Sequence, residues 1–79
     1  MAYVIFNADY FDATDLDIIQ MLSNGAGYKE ISMYLGSQPG RCNYSEIGVA
    51  NRVEELCDLY SCRGSAHLIA FCIRKHIII

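Results

Sequence analysis

The side chains of this chain with the strongest potential chemistry are its thiols and imidazoles: Cys42, Cys57, Cys62, Cys72, His67 and His76. None of the cysteines forms a C-x-x-C pair, and the histidines lack the spacing of zinc-finger ligands. An even number of cysteines would permit disulfides, but a reducing compartment opposes them. We therefore expect small buried or half-buried thiols, with a metal site or a redox switch as the alternative.

Catalytic constellations cannot be assembled from the sequence pattern. The chain offers no Ser-His-Asp spacing, no glycine-rich loop that would cradle a phosphate, and no pair of carboxylates that would face a cleft. Neither histidine has a neighbour that would make it a general base. We expect a protein that is not an enzyme and that carries no cofactor or metal.

Composition and charge restrict the class of protein. The 79 residues are 53% hydrophobic and 19% charged, which is too apolar for a disordered tail and suits a single domain over 1–79. The net charge of −3 and the isoelectric point of about 5.1 oppose a general attraction to nucleic acid. No apolar run approaches the roughly 18 residues that span a bilayer, and the first residues lack the basic segment of a signal peptide. We expect a cytoplasmic protein without membrane contact.

Capping and turn residues predict how the first part of the chain folds. Residues 2–6 are β-branched and aromatic and predict a short strand. Asp12 and Asp15 have the spacing of a capping box, which predicts a first helix over 13–24. After a turn that contains two glycines, apolar spacing predicts a second helix over 28–35.

The third predicted helix has two different faces. Asn43 and Glu46 again have the spacing of a capping box and predict a helix over about 44–60. One apolar stripe is formed by Val49, Val53, Leu56 and Tyr60. The opposite face presents Asn51, Glu54, Glu55 and Asp58, with Arg52 on its flank.

A fourth helix is predicted over 66–75, with Ser65 as its cap. Its segment from Leu68 to Ile73 has no polar interruption, and a helix that is apolar all round in so small a protein indicates a partner surface. Residues 77–79 would pair with the N-terminal strand or extend this apolar patch. Four helices with short β-like segments at the termini predict an all-α fold built on a helix-turn-helix unit.

Four segments of the chain carry a resemblance to a known family. Residues 11–25 are similar to its opening helix, and Tyr28–Gly36, with Lys-Glu-Ile and a final Leu-Gly, resembles its second helix. Gly48–Val53 lies where its recognition helix begins, and residues 65–78 resemble its fourth helix with an isoleucine-rich end. In this order the segments resemble the LuxR/GerE-type helix-turn-helix domain.

The resemblance implies a dimeric transcriptional regulator that binds double-stranded DNA. It implies that Lys29 contacts phosphate and that Asn51 and Arg52 read base edges in the major groove. Two basic residues in the loops beside that helix and one aromatic residue at its start complete the implied DNA surface: Arg41, Arg63 and Tyr44. The implied homodimer seam on the fourth helix consists of Leu68, Ile69, Cys72 and Ile73.

Two departures from the family pattern keep a second interpretation open. The connection between the second and third helices is longer than in the family, and the recognition helix is acidic. Glu54, Glu55 and Asp58 share the face of Asn51, and carboxylates near phosphates oppose DNA binding. The alternative is a helix-turn-helix-shaped interaction module that binds another regulator or the transcription machinery through its acidic third and apolar fourth helices.

Overall fold

The computed structural model describes residues 11–75 of the chain, and within them it contains four α-helices and no strand. The helices are α1 (Ala13–Ser23), α2 (Tyr28–Ser37), α3 (Glu46–Leu59) and α4 (Ser65–Arg74). The predicted all-α class is therefore confirmed for this part of the chain. The β-like segments predicted over 2–6 and 77–79 lie outside the described residues, as does His76.

The first helix begins at the predicted capping box. The backbone N–H of Asp15 donates to Asp12 Oδ1 at 2.7 Å, and the N–H of Asp12 donates to Asp15 Oδ2 at 3.3 Å. These reciprocal bonds satisfy donors that have no partner within the helix. At the other end, the N–H of Ala26 donates to the carbonyl of Met21 at 3.0 Å while Gly25 adopts φ +93°, which is the Schellman ending that glycine favours.

Two predicted helix caps differ from those in the structure. The third helix begins at Glu46 because the Ser45 hydroxyl, and not the Asn43 side chain, accepts the N–H of Gly48 at 3.0 Å. Asn43 instead lies beside the second helix, where a Cβ on Gly36 would be 3.2 Å from Asn43 Oδ1. The fourth helix already includes Ser65, since its N-cap is Gly64, which has no side chain to donate or accept.

A single apolar core lies between the four helices. Its buried members are Phe11, Ile18, Ile19, Ile31, Leu35, Val49, Val53, Leu56, Cys57, Leu68 and Cys72. The second helix packs most extensively against the third. The Ser32 hydroxyl adds a 2.7 Å hydrogen bond to the carbonyl of Tyr44, just before the third helix. This contact fixes the α2–α3 pair, which is the unit that the helix-turn-helix prediction concerns.

The apolar side chains of the fourth helix differ in how deeply they are buried. Leu68 and Cys72, four residues apart, are fully buried in the core of the monomer, because side chains with this spacing lie on the same helix face. The expectation that these two residues form a partner surface is therefore corrected. Ile69 is half-buried, and Ile73 is 45% exposed.

Three aromatic rings connect the start of the described chain to its last helix. The rings of Phe11 and Tyr60 are stacked with centroids 4.9 Å apart, and Tyr60 lies 5.1 Å from Phe71. Aromatic pairs at such distances stabilise beyond the area they bury. The stack therefore joins the segment before α1 to the end of α3 and to α4.

Candidate nucleic-acid or partner interface

The outward face of α3 is polar, acidic and exposed. Asn51, Glu54, Glu55 and Asp58 all lie on the surface, as the sequence predicts. Two large apolar side chains stand near the two ends of the helix, Ile47 at 73% and Leu59 at 55% exposure. The side chain of Asn51 is exposed, and the reading of DNA bases by it stays a prediction.

Arg52 is the only cationic residue of α3, and its guanidinium is bound by the buried carboxylate of Asp15 and the exposed carboxylate of Glu55. Its Nε donates to Asp15 Oδ1 and its Nη2 to Asp15 Oδ2, each at 2.7 Å, and its Nη1 donates to Glu55 Oε1 at 3.0 Å. The two hydrogen bonds to Asp15, more than the one to Glu55, hold the pKa of Arg52 above its ordinary value. The resemblance to LuxR/GerE-type domains implies a groove-facing reader at this position. The structure instead gives Arg52 a structural partner.

The reason for this arrangement is the burial of Asp15, whose side chain is 0% exposed. An ionised carboxylate without a partner is strongly disfavoured inside a protein. The bidentate geometry of Arg52 matches both carboxylate oxygens. One of these oxygens also accepts the backbone N–H of Asp12. Arg52 therefore neutralises and hydrogen-bonds the Asp15 carboxylate, which α1 places in the core.

Arg41 also has a partner within the protein, but a more exposed one. Its Nε donates to Asp17 Oδ2, and the two side chains are 31% and 26% exposed. This hydrogen bond is the main reason that the pKa of Arg41 is raised above its ordinary value. Since water reaches both groups, this pair exchanges with solvent more readily than the buried pair.

The other predicted DNA contacts lie in different surroundings. Tyr44 is half-buried against the core, and burial raises the pKa of its hydroxyl. Lys29, at the start of α2, and Arg63, between α3 and α4, are exposed, and neither side chain has an ion pair with another described residue. The backbone N–H of Arg63 donates to His67 Nδ1 at 3.0 Å. Lys29 and Arg63 are thus the cations of the predicted surface that have no ion pair with another described residue.

A cleft of about 390 Å³ brings Arg63 together with the acidic face of α3. Its lining consists of Tyr28, Val53, Glu54, Cys57, Asp58, Cys62, Arg63, Gly64 and Ser65. Glu54 and Asp58 are four residues apart and lie on one helix face, so this part of the site follows from helical spacing. The proximity of Arg63 to them depends on the α3–α4 turn and has no signal in the sequence.

The four cysteines are free thiols that differ in burial. Cys57 and Cys72 are buried, Cys62 is half-buried and Cys42 is exposed. Burial raises the pKa of Cys57 and Cys62, and it raises the pKa of Cys72 to about 11. Within the described part of the chain, no three metal-ligating side chains come together.

None of the four helices described is both long and apolar enough to cross a membrane. Comparisons of the chain with protein-family models, with curated proteins and with solved structures found no match. The geometry of the described residues consists of an acidic outward face of α3, an arginine on that helix that is paired with the buried Asp15, and a cleft in which Arg63 lies beside the acidic face.

Proposed function

We propose that this protein is a helix-turn-helix-shaped interaction module that controls transcription by binding a protein, either another regulator or part of the transcription machinery. The observation that carries the proposal is the pairing of Arg52 with the buried Asp15 carboxylate. It leaves the outward face of α3 without an available positive charge. The transcriptional setting rests on the resemblance of the sequence to LuxR/GerE-type domains.

Electrostatics favour a protein over DNA as the partner of α3. The helix carries four carboxylates, on Glu46, Glu54, Glu55 and Asp58, against the single guanidinium of Arg52. DNA affinity depends on cations that neutralise phosphates, and each nearby carboxylate opposes it. A basic protein surface would instead be attracted to this face. The exposed Ile47 and Leu59 would add apolar contact at its ends.

A double charge reversal distinguishes the two kinds of partner, because it changes their binding in opposite directions. Glu54→Lys with Asp58→Lys removes attraction to a basic protein surface and removes repulsion from phosphate. Both side chains are exposed, so we expect the variant to retain its helical circular dichroism. We expect it to lose its protein partner and to gain salt-dependent affinity for random duplex DNA.

The partner is identified by photo-crosslinking in cells from a reactive amino acid at position 51, in the middle of the acidic face. The matched control carries the same group at Met33, which is 68% exposed on α2. We expect a transcription protein with a basic surface to be captured from position 51, not from position 33, and not after the double charge reversal. Capture of DNA at position 51, or of the same proteins from both positions, would contradict the proposal.

DNA binding is the second candidate, and the exposed, unpaired charges of Lys29 and Arg63 favour it. It predicts duplex binding that weakens steeply with salt and is lost in Lys29→Ala and Arg63→Ala. Fluorescence anisotropy with a random duplex at about 50 mM salt tests it, because phosphate contacts are strongest at low salt. Absence of binding under this condition would eliminate the candidate.

A homodimer through α4 belongs to the same candidate. After burial of Leu68 and Cys72 in the monomer core, Ile69 and Ile73 are the predicted seam residues that retain exposed surface. Sedimentation velocity of the unchanged chain and of Ile73→Lys tests this seam. A dimer that becomes monomeric in the variant supports it, and a monomer in both eliminates it.

A further inference from the structure

The end of α3 brings two thiols close together through its backbone. The N–H of Cys62 donates to the carbonyl of Cys57 at 2.8 Å, while Ser61 between them adopts φ +56°. This is a Schellman ending, in which the side chains at these two positions are commonly in contact. With standard bond lengths and angles, this hydrogen bond limits the Cα–Cα distance to at most about 6.7 Å. Disulfides span Cα–Cα distances of about 4.4–6.8 Å.

The side chains also converge on a common space. Cys57 and Cys62 both line the cleft beside the acidic face of α3, and each is a free thiol. Cys62 is half-buried and Cys57 is 7% exposed, so Cys62 is the thiol that a dissolved reagent meets first. The Cys62 thiol makes a weak 3.7 Å contact with the carbonyl of Tyr60, which a small rotation would break.

We propose that Cys57 and Cys62 form a reversible disulfide, with a small-molecule disulfide of the glutathione type as oxidant. The Cys62 thiolate attacks one sulfur of glutathione disulfide, a mixed disulfide forms, and one glutathione leaves as its thiolate. The Cys57 thiolate then attacks the Cys62 sulfur, and the second glutathione leaves. Two protein thiols are oxidised, one glutathione disulfide is reduced to two glutathiones, and the protons of the protein thiols are taken up by the leaving thiolates.

The other two cysteines are poor competitors in this reaction. Cys72 is fully buried, so a dissolved disulfide does not reach it without unfolding. Cys42 is exposed and far from the pair in sequence; we expect it to form a mixed disulfide with glutathione. The pair differs from Cys42 in that a second thiol displaces the glutathione within the same molecule.

Peptide mapping tests the pairing directly, because cleavage after arginine leaves Cys57 and Cys62 in one peptide and separates them from the other two cysteines. Tryptic peptide 53–63 contains Cys57 and Cys62, whereas Cys42 lies in peptide 42–52 and Cys72 in peptide 64–74. The folded chain is equilibrated in a buffer of reduced and oxidised glutathione, its remaining thiols are alkylated, and it is digested without reduction. We expect peptide 53–63 to lose the mass of two hydrogens and to carry neither glutathione nor alkyl groups.

Several results would overturn the pairing: a link between peptides 53–63 and 64–74, glutathione that stays on Cys62, or no oxidation of peptide 53–63. The Cys62→Ser variant is expected to leave peptide 53–63 without a disulfide, and Cys42→Ser to leave the pairing unchanged. Because cysteines this close in sequence also pair in an unfolded chain, the same buffer is used in high urea. We expect at least about tenfold more closed peptide, relative to open peptide, in the folded chain. An equal ratio of closed to open peptide in buffer and in urea would show that the folded structure does not favour the disulfide.

Discussion

Two carboxylates on α1 each bind an arginine from a distant part of the chain, in different surroundings. Asp15 is fully buried and accepts two hydrogen bonds from Arg52, whose side chain is 23% exposed. Asp17, two residues further along, accepts one hydrogen bond from Arg41, and both of these side chains are partly exposed. We refer to them as the inner pair (Asp15 and Arg52) and the outer pair (Asp17 and Arg41).

The two pairs differ in the free energy needed to separate them, and this difference decides which arginine is available to a ligand. Separation of the inner pair would leave a carboxylate buried without its counter-ion, which is costly in a protein interior. Separation of the outer pair exposes groups that water already reaches, so its cost is small. Arg41 can therefore turn to a phosphate or a partner carboxylate at little cost. Arg52 cannot do so without weakening the fold.

Truncation of the inner pair should have the largest effect on stability. We expect Arg52→Ala to lower the free energy of unfolding by about 3–5 kcal/mol, because Asp15 would remain buried without its counter-ion. Urea unfolding followed by circular dichroism measures this loss. Arg52→Lys is the matched control: it keeps the charge but not the bidentate geometry, so its loss should be smaller than that of alanine. An unchanged midpoint in Arg52→Ala would mean that Arg52 is not required by the fold.

We also expect a buried and an exposed position on α4 to differ in how much stability a truncation removes. Leu68→Ala should cost about 2–5 kcal/mol, because it leaves a cavity at a fully buried position. Ile73→Ala, at a position 45% exposed, should cost less than half as much as Leu68→Ala. Thermal and urea unfolding of the two variants gives the comparison. Equal losses would show that Ile73 is covered in solution, as it would be by a second copy of the chain.

Removal of the N-cap of α3 tests whether the stability of this helix, which carries Arg52, also depends on its own first turn. Ser45→Ala should lower the free energy of unfolding by about 1 kcal/mol, because the N–H of Gly48 loses its acceptor. The matched control is Asn43→Ala, which should change stability less, since Asn43 does not cap the helix. A larger loss for Asn43→Ala would assign the cap to the capping box that the sequence predicts.

Truncation of the outer pair should have the smallest effect. We expect Arg41→Ala to change the urea midpoint only slightly at low salt, since both partners are already in contact with water. The difference from the unchanged chain should shrink further as salt is raised, because salt screens exposed charges. The measurement is a set of urea midpoints at increasing salt. A large loss that salt does not reduce would place the outer pair in the same class as the inner pair.

Much of the fold could be predicted from local sequence signals. Asp12 and Asp15 cap the first helix as their spacing predicts. The stripe of Val49, Val53 and Leu56 is buried because it repeats with the period of a helix. The local signal was wrong for the cap of α3: Asn43 has the spacing of a capping box with Glu46, but Ser45 caps the helix while Asn43 lies beside Gly36.

The candidate site was less predictable because its decisive contact is not local. Asp15 and Arg52 are 37 positions apart, and nothing in either segment specifies the other. Spacing placed Arg52 correctly on the flank of the polar face but did not show which way its guanidinium points. On α4 the run from Leu68 to Ile73 has no polar interruption, so local spacing does not distinguish the buried Leu68 and Cys72 from the exposed Ile73.

The role of Arg52 is tested most directly by a double-mutant cycle between Asp15→Asn and Arg52→Met. Urea unfolding of the unchanged chain, the two single variants and the double variant gives the coupling free energy of the pair. We expect a coupling of about 1–3 kcal/mol, with the double variant more stable than the sum of the single losses predicts. Additive losses, within about 0.5 kcal/mol, would show that Arg52 does not depend on Asp15 and would leave its guanidinium available to a ligand of α3.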